Sequence, residues 1–265
     1  MLKPRLIFTL LYHDGSFMLS RNFRLQKVGD IAWLEKNYNF SKIAFSIDEL
    51  IILDVSRDNR DKAKFCEIVK RLNQSCFVPI AAGGGVRDLN DASNLFKFGA
   101  DKIIINSSLY ESPDVCKEII SNYGKQCLVA SVDVVKSDKQ FLVKINNGEN
   151  SIQFSLFEWI EKIVDMNVGE IYLNSIDRDG TGQGYLFELL DNLPNDISVP
   201  LIFAGGAGNE KHLIQGLQDE RVDAVATAHL FNYVNDGLRL ARESIIQNGF
   251  ELPSWDIDFA ERMKK

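Results

Sequence analysis

Short apolar runs alternate along the chain with longer amphipathic segments, and this alternation predicts the fold. Several runs, such as residues 50–53, are almost continuously apolar, which is typical of parallel strands covered on both faces. We predict eight strands, at residues 5–11, 49–54, 77–82, 102–106, 127–134, 170–175, 201–204 and 224–228. Helices are predicted between and after them, at about 30–45, 59–74, 88–98, 112–123, 155–167, 185–193, 209–219 and 231–247.

The same ground plan occurs twice in the chain. Gly83 and Gly205 each open a glycine-rich turn after an apolar run, and they are 122 residues apart. Asp101 and Asp223 have the same spacing. We therefore predict an α/β protein, a single (β/α)8 TIM barrel over 1–265, built from two duplicated half-barrels at about 1–122 and 123–250 and ending in a short polar tail from Pro253. An open, doubly wound sheet is the alternative, but two equal halves favour the closed barrel.

Composition excludes several classes of protein. The 265 residues are 45% hydrophobic and 25% charged, which allows a sizeable core. A formal net charge of −7 argues against a general nucleic-acid binder, although a local basic patch could still hold phosphates. No apolar run approaches the roughly 20 residues of a membrane span and no signal-peptide pattern occurs, so we expect a cytoplasmic protein. The four cysteines lack metal-type spacing, and we expect neither a metal nor a cofactor.

Two glycine-rich turns predict anion binding. The loops that follow barrel strands carry function, and Gly83-Gly84-Gly85 follows the third strand whereas Gly205-Gly206 follows the seventh. Glycine permits close backbone approach, and amides at a helix start attract anions. The alternative is a pair of tight turns without a ligand, but their opposed positions favour a ligand with two phosphates. The loops after strands four and eight, Asn106-Ser107 and Thr227-Ala228, can complete the two sites.

Carboxylates near strand ends supply candidate acid and base groups, at Asp54, Asp133, Asp177 and Asp179. Asp133 is the strongest candidate because it interrupts an apolar strand at its exit, where a carboxylate faces the barrel mouth. The alternative roles are a helix cap and a salt bridge. One repeat upstream of Asp133 the chain carries Leu11, so the half that should supply a partner acid lacks it.

Four charged residues open strands at the other end of the predicted barrel. They are Arg5, Glu49, Lys102 and Glu170, each immediately before apolar residues. We expect all four to meet at the N-terminal mouth, where two positive and two negative side chains can form a closed ring of ion pairs. The general role of this face is stability.

Four motifs recur around the predicted strand ends and starts. They are Ala81-Ala82-Gly83-Gly84-Gly85-Val86-Arg87, Gly99-Ala100-Asp101-Lys102 with Ile105-Asn106-Ser107, Ser175-Ile176-Asp177-Arg178-Asp179-Gly180-Thr181, and Ala204-Gly205-Gly206-Ala207-Gly208-Asn209. Together these motifs resemble the cyclase subunit of imidazole glycerol phosphate synthase, the HisF family of histidine biosynthesis, over nearly the whole chain. The resemblance implies a (β/α)8 barrel, a ribonucleotide-type substrate with two phosphates, ammonia from a separate glutaminase subunit, and a lyase and ring-closure reaction.

The resemblance also implies roles for individual residues. Such enzymes use two aspartates as general acid and base; Asp133 matches one, and Leu11 stands where the other is expected. Asp179 and Gly180 join the phosphate-binding residues. The four strand-opening charges match the family's ammonia gate, and Asp101 matches a contact to the glutaminase.

The sequence around Leu11 departs from the family. Its members typically end strand one with Cys-Leu-Asp-Val, whereas this chain has Thr9-Leu10-Leu11-Tyr12, and residues 17–20 replace a stretch that usually carries a lysine. His13 is a candidate substitute acid or base because its ordinary pKa is suitable. Asp14 before Gly15 favours a turn.

Two functions are therefore open at the level of sequence. One is the cyclase-type synthase subunit of a glutamine-dependent complex like imidazole glycerol phosphate synthase. The alternative is a non-cyclase ammonia conduit and activating scaffold for a sugar amidotransferase in surface-polysaccharide biosynthesis, such as that of lipopolysaccharide, with a phosphosugar as the other possible ligand. A phosphosugar isomerase is a third, less favoured reading, because it needs neither the four-charge gate nor a glutaminase.

Overall fold

The computed structural model describes residues 3–253 apart from 39, 44 and 139, so the predicted tail beyond Pro253 lies outside the described residues. The elements are, in chain order, β1 (Arg5–His13), β2 (Ser16–Arg21), β3 (Arg24–Gly29), α1 (Ile31–Asn37), α2 (Phe40–Ile43), β4 (Glu49–Asp54), α3 (Lys62–Ser75), β5 (Ile80–Gly83), α4 (Leu89–Lys97), β6 (Lys102–Ile105), α5 (Ser107–Glu111), α6 (Pro113–Tyr123), β7 (Leu128–Ser137), β8 (Gln140–Ile145), β9 (Asn150–Ser155), α7 (Leu156–Asp165), β10 (Glu170–Ser175), β11 (Leu201–Ala204), α8 (Glu210–Leu217), β12 (Ala224–Thr227) and α9 (Gly237–Gln247), with 3-10 helices at Lys125–Cys127 and Phe187–Asn192.

Eight parallel strands close into a barrel. Neighbouring strands follow the order β1, β4, β5, β6, β7, β10, β11 and β12, and β12 pairs in parallel with β1 to complete the circle. This closure confirms the predicted (β/α)8 barrel, because an open doubly wound sheet would leave two edge strands unpaired. Each predicted strand overlaps a barrel strand. The third begins later than predicted, at Ile80, because Pro79 has no N–H to donate to the sheet.

Three predicted helices take a different form. Segment 30–45 divides into α1 and α2, because Tyr38 adopts an extended backbone conformation between them. Segment 185–193 contains a 3-10 helix, and segment 231–247 becomes helical only at Gly237. Asn235 has a φ of +54°, a left-handed conformation that a continuous right-handed helix does not tolerate. Within the part of the chain that the structure describes, no helix is both long and apolar enough to cross a membrane.

Two antiparallel hairpins, absent from the sequence prediction, extend the barrel wall. Strands β2 and β3 continue from β1, and β8 and β9 continue from β7 in the same manner. The turn between β1 and β2 is Asp14-Gly15, with positive φ at both residues, so Asp14 is a turn residue. The first hairpin was missed because β3 is mostly polar and has no buried residue, and it therefore lacks a regular alternation of apolar residues.

The core has two layers, one inside the barrel and one between the barrel and its helices. Cys66, Cys76 and Cys116 belong to the outer layer, and burial raises the pKa of each thiol, to about 11 for Cys76 and Cys116. These thiols are inert packing residues. The buried inner layer consists of Ile7, Ile51, Ala81, Ile104, Val129, Tyr172, Ile202, Ala204, Ala224 and Ala226.

Candidate functional site

A cavity of about 190 Å³ lies at the C-terminal ends of the barrel strands. Gly83 does not line it; this residue ends β5, where an added Cβ would stand 2.3 Å from the carbonyl oxygen of Ile104. The lining nevertheless gathers most of the predicted site residues from both halves of the chain. They are Leu11, Gly84, Gly85, Asn106, Ser107, Asp133, Asp179, Gly180, Gly205, Gly206, Thr227 and Ala228.

Asp133 presents a carboxylate held by two side-chain amides. Asn174 Nδ2 donates to Oδ1 at 2.9 Å, and Asn106 Nδ2 donates to Oδ2 at 3.2 Å. Burial raises the pKa of Asp133 to about 7; the hydrogen bond from Asn174 opposes the rise, and the negative charge of Asp179 adds to it. A carboxyl group that titrates near neutral pH can both accept and return a proton there.

Leu11 occupies in β1 the position that Asp133 occupies in β7. Both residues line the cavity, and each pairs with the corresponding residue of the next barrel strand and of the adjoining hairpin strand. The matched positions differ in chemistry throughout. They are Leu11, Leu53 and Met18 in the first half, and Asp133, Asn174 and Lys144 in the second.

The glycine turns bring backbone close to the cavity. Gly84 has a φ of +105°, and a Cβ there would stand 2.1 Å from the carbonyl oxygen of Asp54. Gly206 has a φ of +110°, and its Cβ would stand 2.2 Å from the carbonyl oxygen of Gly184. Only glycine fits either position, so main-chain atoms rather than side chains border the cavity at both turns.

The helices after these turns are capped by their own side chains. Asp88 accepts from the amide of Asp91 at the start of α4, and Asn209 accepts from the amide of His212 at the start of α8. One amide at each helix start is thus engaged inside the protein. The loop amides of the glycine turns are therefore better placed than those two for an anion in the cavity.

Three arginines also line the cavity beside the first glycine turn, and sequence reasoning did not single them out. Arg60 lies 3.3 Å from the buried carboxylate of Asp54, and that carboxylate also accepts from the amide of Ser56. Arg57 and Arg87 are about half exposed. Asp54 is therefore held in a structural contact. Arg57 donates to the carbonyl oxygen of Phe23 and Arg87 pairs with Glu111 at 2.6 Å, and both arginines still line the cavity.

Asp179 fixes the first hairpin to the second half of the barrel. Its buried carboxylate accepts from Ser20 Oγ and, at 3.1 Å, from the amide of Phe23. Its own amide donates to the carbonyl oxygen of Ser175. Gly180 packs against the same hairpin, where a Cβ would collide with the carbonyl oxygen of Ser20. The polar groups of Asp179 are thus engaged within the protein.

The remaining candidates lie away from the cavity centre. Asp177 accepts from the amide of Lys136 at 2.7 Å. Asp14 is exposed and pairs with Lys64 at 3.2 Å. His13 ends β1 opposite Ser16 and does not line the cavity, so it is not placed to replace an acid at position 11.

At the opposite end of the barrel, the four strand-opening charges form a closed ring. Arg5 contacts Glu49 at 3.1 Å and Glu170 at 2.7 Å, and Lys102 contacts the same two carboxylates at 2.7 and 2.9 Å. Burial raises the pKa of Glu49, while its cationic neighbours, Lys102 foremost, oppose the rise. The ring holds equal numbers of positive and negative groups, which limits the cost of desolvating them.

Asp101 serves as a brace on this same face. Its carboxylate accepts from the amide of Ile80 at 2.8 Å, and its amide donates to the carbonyl oxygen of Ile80. Asp223 makes the same two bonds to Leu201 in the second half. Asp101 is exposed in addition, so a structural role does not prevent contact with a partner.

Sequence reasoning missed the polar groups that surround Asp133 inside the barrel. Asn174 and Tyr172 both line the cavity, although they lie within a strand that reads as buried. The signal that could have found them is the alternation of Glu170, Tyr172 and Asn174 along β10, which places all three on one face of the strand.

The chain is similar to known proteins over most of its length. The family model described as "Histidine biosynthesis protein" matches residues 22–236. A protein of Parasynechococcus marenigrum (strain WH8102), named "Putative imidazole glycerol phosphate synthase subunit hisF2", is 49% identical over 243 residues, which cover 92% of this chain and 90% of the relative.

Relatives named "Imidazole glycerol phosphate synthase subunit HisF" are more distant. The protein of Chlorobaculum tepidum is 33% identical over 250 residues, covering 94% of this chain and 98% of the relative. That of Bacillus cereus (strain G9842) is 32% identical over 235 residues, covering 88% and 92%. The chain therefore belongs to the histidine biosynthesis protein family and is a divergent relative of HisF subunits.

Proposed function

We propose that this chain is the cyclase-type subunit of a complex like imidazole glycerol phosphate synthase, acting in the cytoplasm with ammonia from a separate glutaminase subunit. The observation that carries the proposal is the placement of two features at opposite ends of one barrel. The closed ring of Arg5, Glu49, Lys102 and Glu170 stands at the N-terminal mouth, and the cavity with Asp133 stands at the other.

The cavity is suited to a ribotide with a phosphate at each end. One phosphate would meet the loop at Gly84 and Gly85 with Asn106, Ser107 and the neighbouring arginines. The other would meet Gly180, Gly205 and Gly206 with the turn at Thr227 and Ala228. Soaking crystals in phosphate should place an ion at each glycine turn, and empty density at both turns would remove this part of the proposal.

The ring is suited to the entry of ammonia from a glutaminase docked on the N-terminal face, with Asp101 at the contact. Adding this chain to the cognate glutaminase should raise its rate of glutamine hydrolysis. Lys102→Met should leave the complex intact but separate hydrolysis from use of the ammonia. An unchanged glutaminase rate on mixing would count against the partnership.

Asp133 supplies one acid–base group for a lyase and ring-closure reaction, whereas Leu11 supplies none. Loss of one of two such groups costs about 10² to 10⁴ in rate. We therefore expect slow turnover of the histidine-pathway ribotide with ammonia, measured by formation of imidazole glycerol phosphate.

Leu11 also favours a second candidate function. A barrel that keeps the ring and the cavity but loses half of an acid pair is suited to delivering ammonia to a separate sugar amidotransferase. The two functions separate in one assay, because only the cyclase produces imidazole glycerol phosphate. Failure to rescue a strain that lacks the histidine cyclase, together with glutaminase activation, would support the conduit.

A further inference from the structure

One barrel strand carries a polar side chain at each of three levels between the ring and the cavity. Residues 170, 172 and 174 of β10 share the inward face because side chains alternate along a strand. Glu170 belongs to the ring, and Asn174 donates to Asp133 at the cavity. Tyr172 lies between these two levels and is buried.

Tyr172 fills the middle of the barrel. It is the aromatic member of the inner core layer among the described residues, and the strands around it contribute small side chains. These small residues are Ala81, Ala204, Ala224 and Ala226. The phenol of Tyr172 therefore occupies the space that they leave inside the barrel, and it lies between the four-charge ring and the cavity.

The hydroxyl of Tyr172 has capacity for another hydrogen-bond partner. It lies 3.4 Å from Thr9 Oγ1, whereas hydrogen bonds between hydroxyl groups are usually about 2.5–3.0 Å long. Tyr172 and Thr9 both line the cavity. Burial raises the pKa of the Tyr172 phenol, so it stays neutral and remains a hydrogen-bond donor throughout the physiological pH range.

We propose that Tyr172 is the internal control point for ammonia in this barrel. Its phenol side chain blocks the barrel axis between the four-charge ring and the cavity, and its hydroxyl receives the ammonia before Asp133 and Asn174. This role rests on the proposed function. A small polar molecule that crosses an apolar interior loses its hydrogen bonds to water, and one hydroxyl placed midway restores part of that loss. Tyr172 is thus a positioning residue.

The test compares two nitrogen sources in the complex of this chain with its cognate glutaminase and the histidine-pathway ribotide. Ammonia from glutamine enters through the ring, whereas added ammonium salt reaches the cavity from solvent. Tyr172→Phe keeps the aromatic side chain and removes its hydroxyl. It should lower the ratio of glutamine-driven to ammonium-driven product formation about five-fold, within the range for loss of one hydrogen bond.

Two further variants complete the design. Thr9→Val removes the neighbouring hydroxyl and should lower the same ratio by a smaller factor. Tyr12→Phe makes the identical chemical change at another buried tyrosine, on the outer side of β1, and should leave the ratio unchanged.

The outcomes distinguish the inference from the proposed function. An unchanged ratio in Tyr172→Phe, or an equal fall with both nitrogen sources, overturns the role of Tyr172 while the proposed function stands. A wild-type complex that forms no product from either source overturns the proposed function, and the inference falls with it.

Discussion

The two halves of the barrel differ most where their backbones correspond most closely. Leu11 and Asp133 take matched positions in register with their neighbouring strands, yet the first half surrounds its position with Leu53 and Met18. The second half surrounds Asp133 with polar groups, of which Asn174 donates directly to it. Strand register therefore fixes where a side chain points, whereas the residue type decides whether that position can hold a proton at all.

The largest effect should come from removing the polar member of this pair. Asp133→Ala deletes a cavity carboxyl group whose pKa, raised by burial to about 7, suits proton transfer. We expect turnover of the ribotide with ammonium to fall about 10³-fold. Leu11→Ala, at the matched position, should change turnover far less, and steady-state rates of the two variants would test the asymmetry directly. Equal losses in both would refute it.

At the four-charge ring the first half is the more polar one, because it supplies Arg5, Glu49 and Lys102, whereas the second half supplies Glu170. Lys102→Met leaves two largely buried carboxylates to share one cation. We expect the free energy of unfolding to fall by about 3 kcal/mol, measured by urea titration. Lys117→Met is the control, since the pair with Asp114 is exposed and should contribute nothing measurable. A loss no greater than that of the control would mean that the ring does not stabilise the barrel.

The raised pKa of Asp133 predicts a pH dependence that Leu11 cannot produce. The folded protein holds the Asp133 proton up to about pH 7, whereas the unfolded chain releases it near the ordinary value of 3.8. The folded state therefore binds more protons in this window, and stability falls as pH rises through about 7. Relative to Asp133→Asn, the wild type should lose about 2.5 kcal/mol of unfolding free energy between pH 5 and 8, most of it below pH 7. Parallel pH curves for the two proteins would contradict the raised pKa.

The smallest effect should come from giving the first half an acid. Leu11→Asp restores a carboxyl group at the matched position, but its neighbour Leu53 cannot donate a hydrogen bond to it. We expect a gain in ribotide turnover of about tenfold, with some loss of stability from a buried, unpaired carboxyl. Adding Leu53→Asn reproduces the second half's pair of Asp133 and Asn174 and should increase the gain. Leu53→Asn alone is the control and should give none.

The barrel itself was predictable from the sequence, because each barrel strand coincides with an apolar run that can be recognised locally. The four-charge ring could be predicted as well, because the starts of parallel strands all lie at the same end of a closed barrel. The glycine turns located the cavity for the same reason. These are features that a single strand and its end determine locally.

The details around Asp133 depend on contacts between distant segments and could not be predicted. In the sequence, Asn174 is a single polar residue in a buried strand. Its role follows only from the register between β10 and β7, which places it opposite Asp133. Asp179 appeared suited to phosphate, yet its carboxylate accepts from Ser20, which is 159 residues away in a hairpin with no clear pattern of its own. Side-chain partners across a barrel are set by closure and register, and local periodicity contains neither.

The hairpins of the two halves meet above the cavity, and this contact has a kinetic consequence. Gly148, in the turn between β8 and β9, packs against the ring of Phe23 between β2 and β3, where an added Cβ would stand 2.9 Å away. Arg57 donates to the carbonyl oxygen of Phe23 and lies 3.8 Å from Glu149, so it links both turns. We expect the residence time of a ligand that spans the cavity to depend on this contact between the two turns.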